Sequence, residues 1–219
     1  MSKIILDLCG GTGSWAKPYK DNGYDVRTLT LPDFDVTKWQ DNEEFVQLLQ
    51  SNTIHGILAA PPCTMFSIAR NDKTARNPRD MRGGMEIVKA CLDIVHECLY
   101  EPFRISENSL KFWALENPHG YLYRYLGRPP FEFDPCEFGD QYKKRTQIWG
   151  MFNEPKKASI CDTLDMKGLD FVKNVENFRH LKEGMIPTGY KEKTKLSWRT
   201  ITRSITPQGF ARAFFKANP

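Results

Sequence analysis

Short apolar runs alternate along this chain with amphipathic stretches, and the alternation carries the first structural expectation. Residues 3–8 (KIILDL), 24–31 (YDVRTLTL) and 54–60 (IHGILAA) read as strands. A fourth strand is predicted at 111–117 (KFWALEN), closed by Pro118, and two more at 131–138 and 145–152. Helical spacing unites Phe45, Leu48 and Leu49 within 41–50, and Met85, Val88, Leu92, Val95 and Leu99 within 84–99. A helix-compatible stretch from Ser14 ends at Gly23, and a short one through 121–126 ends at Gly127. Thr206 is expected to cap a last helix starting at Pro207, with Phe210 and Phe214 facing inward. Residues 61–82 have no periodicity and read as a loop.

Strands alternating with helices predict an α/β fold, a doubly wound, mostly parallel sheet with helices on both faces. Ligands in such sheets sit at the carboxyl ends of the strands. Three polar punctuations fall at such ends: CGGTG after the first run, PPC after the third and ENP after the fourth. The chain of 219 residues suits one domain with a small appendage. A core over 1–152, a weakly patterned segment over 153–198 and a closing helix over 199–219 are the expected divisions.

Composition is that of a globular protein, with no apolar run near the roughly 20 residues of a membrane span and too short an apolar start for a signal peptide. A cytoplasmic protein with no membrane partner is expected. The six cysteines, at 9, 63, 91, 98, 136 and 161, form no CxxC pair and no zinc-type spacing, so reduced thiols and no metal are expected. Cys91 and Cys98, seven apart on one helical stripe, read as core. Net charge is only +4, but its distribution is uneven. Lys191, Lys193, Lys195, Arg199, Arg203, Arg212 and Lys216 crowd the C-terminal end against Glu192; Arg70, Lys73, Arg76, Arg79 and Arg82 crowd the loop. Such asymmetry suits either a polyanion partner or a solvated charged face.

Each punctuation supports a chemistry. DLCGGTG is a glycine-rich strand-to-helix turn through which a backbone approaches a ligand closely. A third glycine is missing after Gly11-Thr12-Gly13, which favours a small adenosine ligand over a dinucleotide. Trp15 stacks on an adenine or packs in the core. Glu116 ends an apolar strand, where partial burial raises a carboxyl pKa and makes a proton donor; a simple cap is the other reading. Pro61 and Pro62 stiffen the turn before Cys63. That cysteine is either a small buried hydrophobe or a nucleophile at a strand end, whose pKa must fall for it to react.

In order and spacing, DLCGGTG, AAPPCTMFS, LENP, KKRTQIWG and SITPQGFARAFF resemble the C5-cytosine DNA methyltransferase family. The resemblance implies a class I S-adenosylmethionine-dependent methyltransferase fold of Rossmann-like type. It implies that the cofactor lies over Asp7, Leu8, Cys9, Gly10, Gly11, Thr12, Gly13, Ser14 and Trp15, with Asp35, Val36 and Pro61 completing its site. Catalysis would fall to Cys63, adding to C6 of cytosine, to Glu116 at N3 and the exocyclic amine, and to Arg145. Pro62, Ser67, Asn117, Pro118 and Gln147 would line the substrate. Lys195, Arg199 and Arg203 would meet phosphates.

The sequence departs from the family at Gln147, where a second arginine is usual, and at the tip of 24–31, where only Asp33 offers a carboxylate for the cofactor ribose. The segment 153–198 is also marginal as a separate recognition domain. The expectation is therefore a small, monomeric, phage- or restriction-modification-type enzyme that flips cytosine from duplex DNA with short or relaxed specificity, a partner protein for specificity staying open. The same chemistry on a free cytidine nucleotide or RNA, and a non-catalytic DNA-binding relative, remain the alternatives.

Overall fold

Six apolar runs become the strands of one mixed sheet. The computed structural model describes residues 3–71, 78–100, 110–140, 142–158 and 186–219. Lys73, Arg76, Cys161 and most of 153–198 lie outside the described residues, as does the side chain of Arg199. The strands are β1 (Ile4–Leu8), β2 (Asp25–Leu29), β3 (Ile54–Ala59), β4 (Phe112–Pro118), β5 (Phe131–Phe133) and β6 (Thr146–Met151). The helices are α1 (Lys17–Asp21), α2 (Glu43–Gln50), α3 (Met81–Tyr100), α4 (Tyr123–Leu126), α5 (Tyr190–Thr194), α6 (Trp198–Ser204) and α7 (Gln208–Ala217). Strand order is β2-β1-β3-β4-β6-β5.

The pairings β1–β2, β1–β3 and β3–β4 are parallel, whereas β4–β6 and β5–β6 are antiparallel. The sheet is thus mixed: three of its five pairings are parallel, and β6 alone runs against the other strands, inserted between β4 and β5. Its glycine makes the insertion fit: at Gly150 (φ 145°) a Cβ would stand 2.1 Å from the Trp113 carbonyl oxygen. The expected strand at 131–138 is cut to Phe131–Phe133, since Pro135 has no N–H for a ladder. Pro135–Phe138 is instead a 3-10 turn under a reciprocal Asp134–Glu137 cap.

β1 and β3 are buried throughout, because layers cover both faces of the sheet. On one face Leu6, Leu8 and Ile57 pack with Phe45 and Leu49 of α2 and with Val88, Cys91 and Ile94 of α3. On the other, Ile5, Leu58, Phe112 and Ile148 pack with Trp15, Tyr19, Phe210 and Phe214. Cys91 and Cys98 are core residues, as their spacing implies. Cys9, Cys63, Cys91 and Cys98 are not in disulfides, whereas Cys136 is disulfide-bonded, a departure from the expected reduced state.

α7 closes the second face. Phe210 and Phe214 are fully buried, and Phe210 stacks on Phe133 with ring centroids 3.9 Å apart. Thr206 does not cap this helix; its backbone N–H donates to Ser14 Oγ at 2.8 Å. The Asp140 carboxylate accepts from the Gly209 N–H (3.2 Å) in its place. No helix among the described residues is long and apolar enough to cross a membrane.

Replacing Phe210 with alanine should cost about 3–5 kcal/mol in urea unfolding, because it empties the centre of the second aromatic cluster. Lys216→Ala on the same helix should leave the unfolding midpoint nearly unchanged.

Candidate active site

Neighbouring parallel strands end together, so the three punctuations share one edge of the sheet. The β1 turn is the tightest. The N–H of Cys9 donates to the Leu29 carbonyl at 2.8 Å and that of Gly13 to the Gly10 carbonyl at 2.9 Å. Cys9, Gly11 and Gly13 all have positive φ. Gly10 has no room for a side chain, since a Cβ would lie 2.1 Å from the Asp7 carboxylate.

That carboxylate is itself unusual. Asp7 is fully buried; Thr28 Oγ1 donates to its Oδ2 across a long 3.5 Å, and Oδ1 has no partner. Burial pushes its pKa up to about 7, with the Thr28 hydroxyl opposing. Beside the loop, on the β2 side, is a cavity of about 440 Å³, lined among others by Thr12, Gly13, Thr28, Ile186, Pro187 and Gln208. Thr12 Oγ1 and Gln208 Nε2 are buried without partners. Tyr190 hangs over the loop: a Cβ on Gly11 would meet its hydroxyl at 3.3 Å. Lys193 of α5 pairs with Asp33 beyond β2. The C-terminal segment therefore walls the glycine loop, a role that pattern reading of 153–198 does not reveal.

Other residues assigned to the cofactor fall elsewhere. Trp15 is buried against Phe210 and Phe214, so it packs rather than stacks on a ligand. Leu8 is also buried, whereas Ser14, though buried and accepting from the Thr206 N–H, does line the cavity. Asp35 caps its own turn, accepting from the Thr37 N–H (3.0 Å) and hydroxyl (2.7 Å), and Val36 is buried in the first cluster. Neither Asp35, Val36 nor Pro61 lines the cavity.

Cys63 opens a 3-10 turn, Cys63–Met65, after the exposed Pro62. Its carbonyl accepts from the N–H groups of Phe66 (3.0 Å) and Ser67 (2.9 Å), and Phe66 is fully buried beneath. The neighbouring strand end is tied on directly: the buried Asn117 amide donates to the Pro61 carbonyl at 3.0 Å. Half-buried Cys63 and Glu116 thereby come close enough for the carboxylate to push the thiol pKa up. Burial is the larger cause of that rise, and Lys144 and Arg203 oppose it. Glu116 is likewise pushed up by burial and held back by Lys144. The expected depression of the thiol pKa is thus absent here, because desolvation outweighs the nearby cations.

The cation at this site is not the one the motif suggests. Glu116 pairs in register with Ile148 and Asn117 with Gln147. Side chains alternate across a strand, so Glu116 and Ile148 share the face of the second cluster while Gln147 and Arg145 take the opposite face. There Arg145 donates to Glu132 at 3.1 Å, and Gln147 Nε2 donates to Glu132 at 2.5 Å and toward His119 Nδ1 at 3.3 Å. Neither is free for the Cys63–Glu116 pair. Lys144 stands by that pair, its ammonium anchored on the Arg203 carbonyl at 2.9 Å. The motif names Lys144 only as part of a basic run; register and alternation single it out. Pro118 ends β4, Ser67 bridges Gly120, and Lys195 is exposed at the end of α5. The described residues contain no group of three or more His, Cys, Asp or Glu that could hold a metal ion.

Among known proteins, no family model and no curated protein matches the chain.

Lys144→Met should move the pH profile of Cys63 alkylation upward, read by mass spectrometry, whereas Arg145→Met should not move it. Equal shifts would refute the facial assignment. Asp7 should make stability fall as pH rises: its folded pKa exceeds its unfolded value, so protons favour the fold and their loss between about pH 4 and 7 costs stability. Asp7→Asn should therefore gain on the wild type as pH rises through that window in parallel thermal melts.

Proposed function

We propose that this protein is an S-adenosylmethionine-dependent cytosine C5 methyltransferase acting on DNA. The observation that carries the reading is the convergence of Cys63, Glu116 and Lys144 at the adjoining ends of β3 and β4, beside the glycine turn. A mixed α/β sheet compatible with a Rossmann-like fold supports it. A thiol beside a carboxyl group is unneeded by a protein that only binds DNA.

The cofactor fits the residues present. A 440 Å³ cavity is of small-molecule size, the positive φ of Gly11 and Gly13 opens the backbone to close approach, and Thr12 and Gln208 offer unpartnered polar atoms. Gly11, Thr12, Gly13, Thr28 and Gln208 would hold it, with Tyr190 above. Bound S-adenosylmethionine supplies an electrophilic methyl group.

The chain's own residues make the base reactive. C5 of cytosine is a weak nucleophile. The Cys63 thiolate forms a bond to C6; the C5–C6 π pair moves to C4–C5 and the C4–N3 π pair to N3, which leaves C5 as the nucleophilic carbon of an enamine. Glu116, whose pKa burial raises, gives its proton to N3 and removes charge from the adduct. Lys144 and Arg203 favour the thiolate against its desolvation. After transfer a base removes the C5 proton, the C5–C6 double bond re-forms and the thiolate leaves. In a duplex the target is first flipped from the stack, at a cost of a few kcal/mol. Exposed Lys195 and Arg203 suit phosphates, and Lys191 lies 5.0 Å over the exposed Trp198 ring.

Labelled methyl transfer to duplex DNA, RNA and dCMP in parallel tests the reading. Label should enter DNA, Cys63→Ala should abolish it, and Glu116→Gln should slow it roughly 10²–10⁴-fold. Transfer to dCMP or RNA alone would assign the same chemistry to those substrates, and label surviving Cys63→Ala would remove the nucleophile.

A further inference from the structure

Arg79 belongs to none of the motifs above, yet it touches the turn that carries the cysteine. Its guanidinium donates to the Met65 carbonyl at 2.6 Å, to the Ser67 carbonyl at 2.9 Å and to Asn71 Oδ1 at 2.7 Å. Its flat face lies over the Tyr121 ring, 5.1 Å from the centroid. Asn71 Nδ2 in turn donates to the Tyr121 hydroxyl at 3.0 Å. Tyr121 follows the ENP strand and is joined to the same turn from the other side: its N–H donates to the Phe66 carbonyl at 2.8 Å, and Ser67 bridges Gly120. At Gly120 a Cβ would stand 2.3 Å from the Phe66 carbonyl oxygen, so the two segments pass in close contact.

We propose that Arg79 is a positioning residue for Cys63. Its fork of donors holds the carbonyls two and four residues after the cysteine while its face rests on the Tyr121 ring, and so sets the direction in which the sulfur points. A guanidinium suits this task because its donors are planar and fixed; an ammonium is a point charge that cannot span two carbonyls and an amide while covering a ring. Geometry of this kind matters for covalent attack, where a misplacement of about 1 Å costs roughly 100-fold. The consequence for catalysis rests on the methyltransferase reading; the clamp itself does not.

The test uses two reactions of the same thiol in the full-length protein. Iodoacetamide is indifferent to orientation and reads how loosely Cys63 is held. Trapping on duplex DNA carrying 5-fluorocytosine, with S-adenosylmethionine present, demands that the sulfur be aimed. Arg79→Ala should speed alkylation of Cys63 about 5-fold while slowing trapping about 10-fold or more, and Arg79→Lys should restore neither. Buried Cys91 and Cys98 report the fold and should stay unmodified. Should they react too, Asn71→Ala decides, the same split supporting the clamp and its absence overturning it. Unchanged rates in Arg79→Ala, or wild-type rates in Arg79→Lys, overturn the proposal. A wild-type protein that never traps would sink the methyltransferase reading alone, and the alkylation arm would still judge the clamp.

Discussion

The buried bond from the Asn117 amide to the Pro61 carbonyl ties the two halves of the site together. It links the residue after Glu116 to the residue two before Cys63, across the ends of neighbouring parallel strands. Sheet spacing sets the strands about 4.8 Å apart, but the loops beyond them have no ladder to keep them in step. An unmade bond at a fully buried amide would cost about 1–3 kcal/mol, so the two loop ends are held in one relation. Phe66, sunk in the first cluster, pins the next turn of chain.

Within that frame burial favours the uncharged forms of the site. Burial raises the pKa of both the thiol and the carboxyl group, and the Glu116 carboxylate raises the thiol further. A protonated carboxyl group is what a proton donor to a ring nitrogen needs. A protonated thiol is the opposite of what a nucleophile needs, and Lys144 and Arg203 stand on the side that favours its ionisation. The roles proposed for Glu116 and Cys63 would thus make contrary demands on one pocket, and cations near the sulfur are a physical means of meeting both.

The glycine turn shows a similar division. Gly10 is pressed onto a buried Asp7 whose second oxygen finds no donor, so the turn is built around a polar group that folding alone does not satisfy. The adjacent cavity has unpartnered polar atoms from both the N-terminal turn and the closing helix, Thr12 and Gln208. Residues nearly two hundred positions apart therefore form one wall, which is how a short final helix becomes part of a site at the start of the chain.

Much of this was legible in sequence, because local chemistry wrote it there. Continuous apolar runs marked the strands, and proline and glycine marked where they stop. Parallel neighbours then put CGGTG, PPC and ENP on one edge, and the inward faces of Phe210 and Phe214 followed from helical spacing. What sequence could not decide was which side of a strand a residue takes and what lies opposite. The family resemblance favoured Arg145 and Gln147; the antiparallel register of β6 against β4 turned them toward Glu132 and brought Lys144 to Glu116. Trp15 had two equal uses until the closing helix packed against it. Strand identity is a property of neighbouring residues, whereas facing, partnership and the balance of burial against charge depend on segments distant in the chain, and only the folded arrangement fixes those.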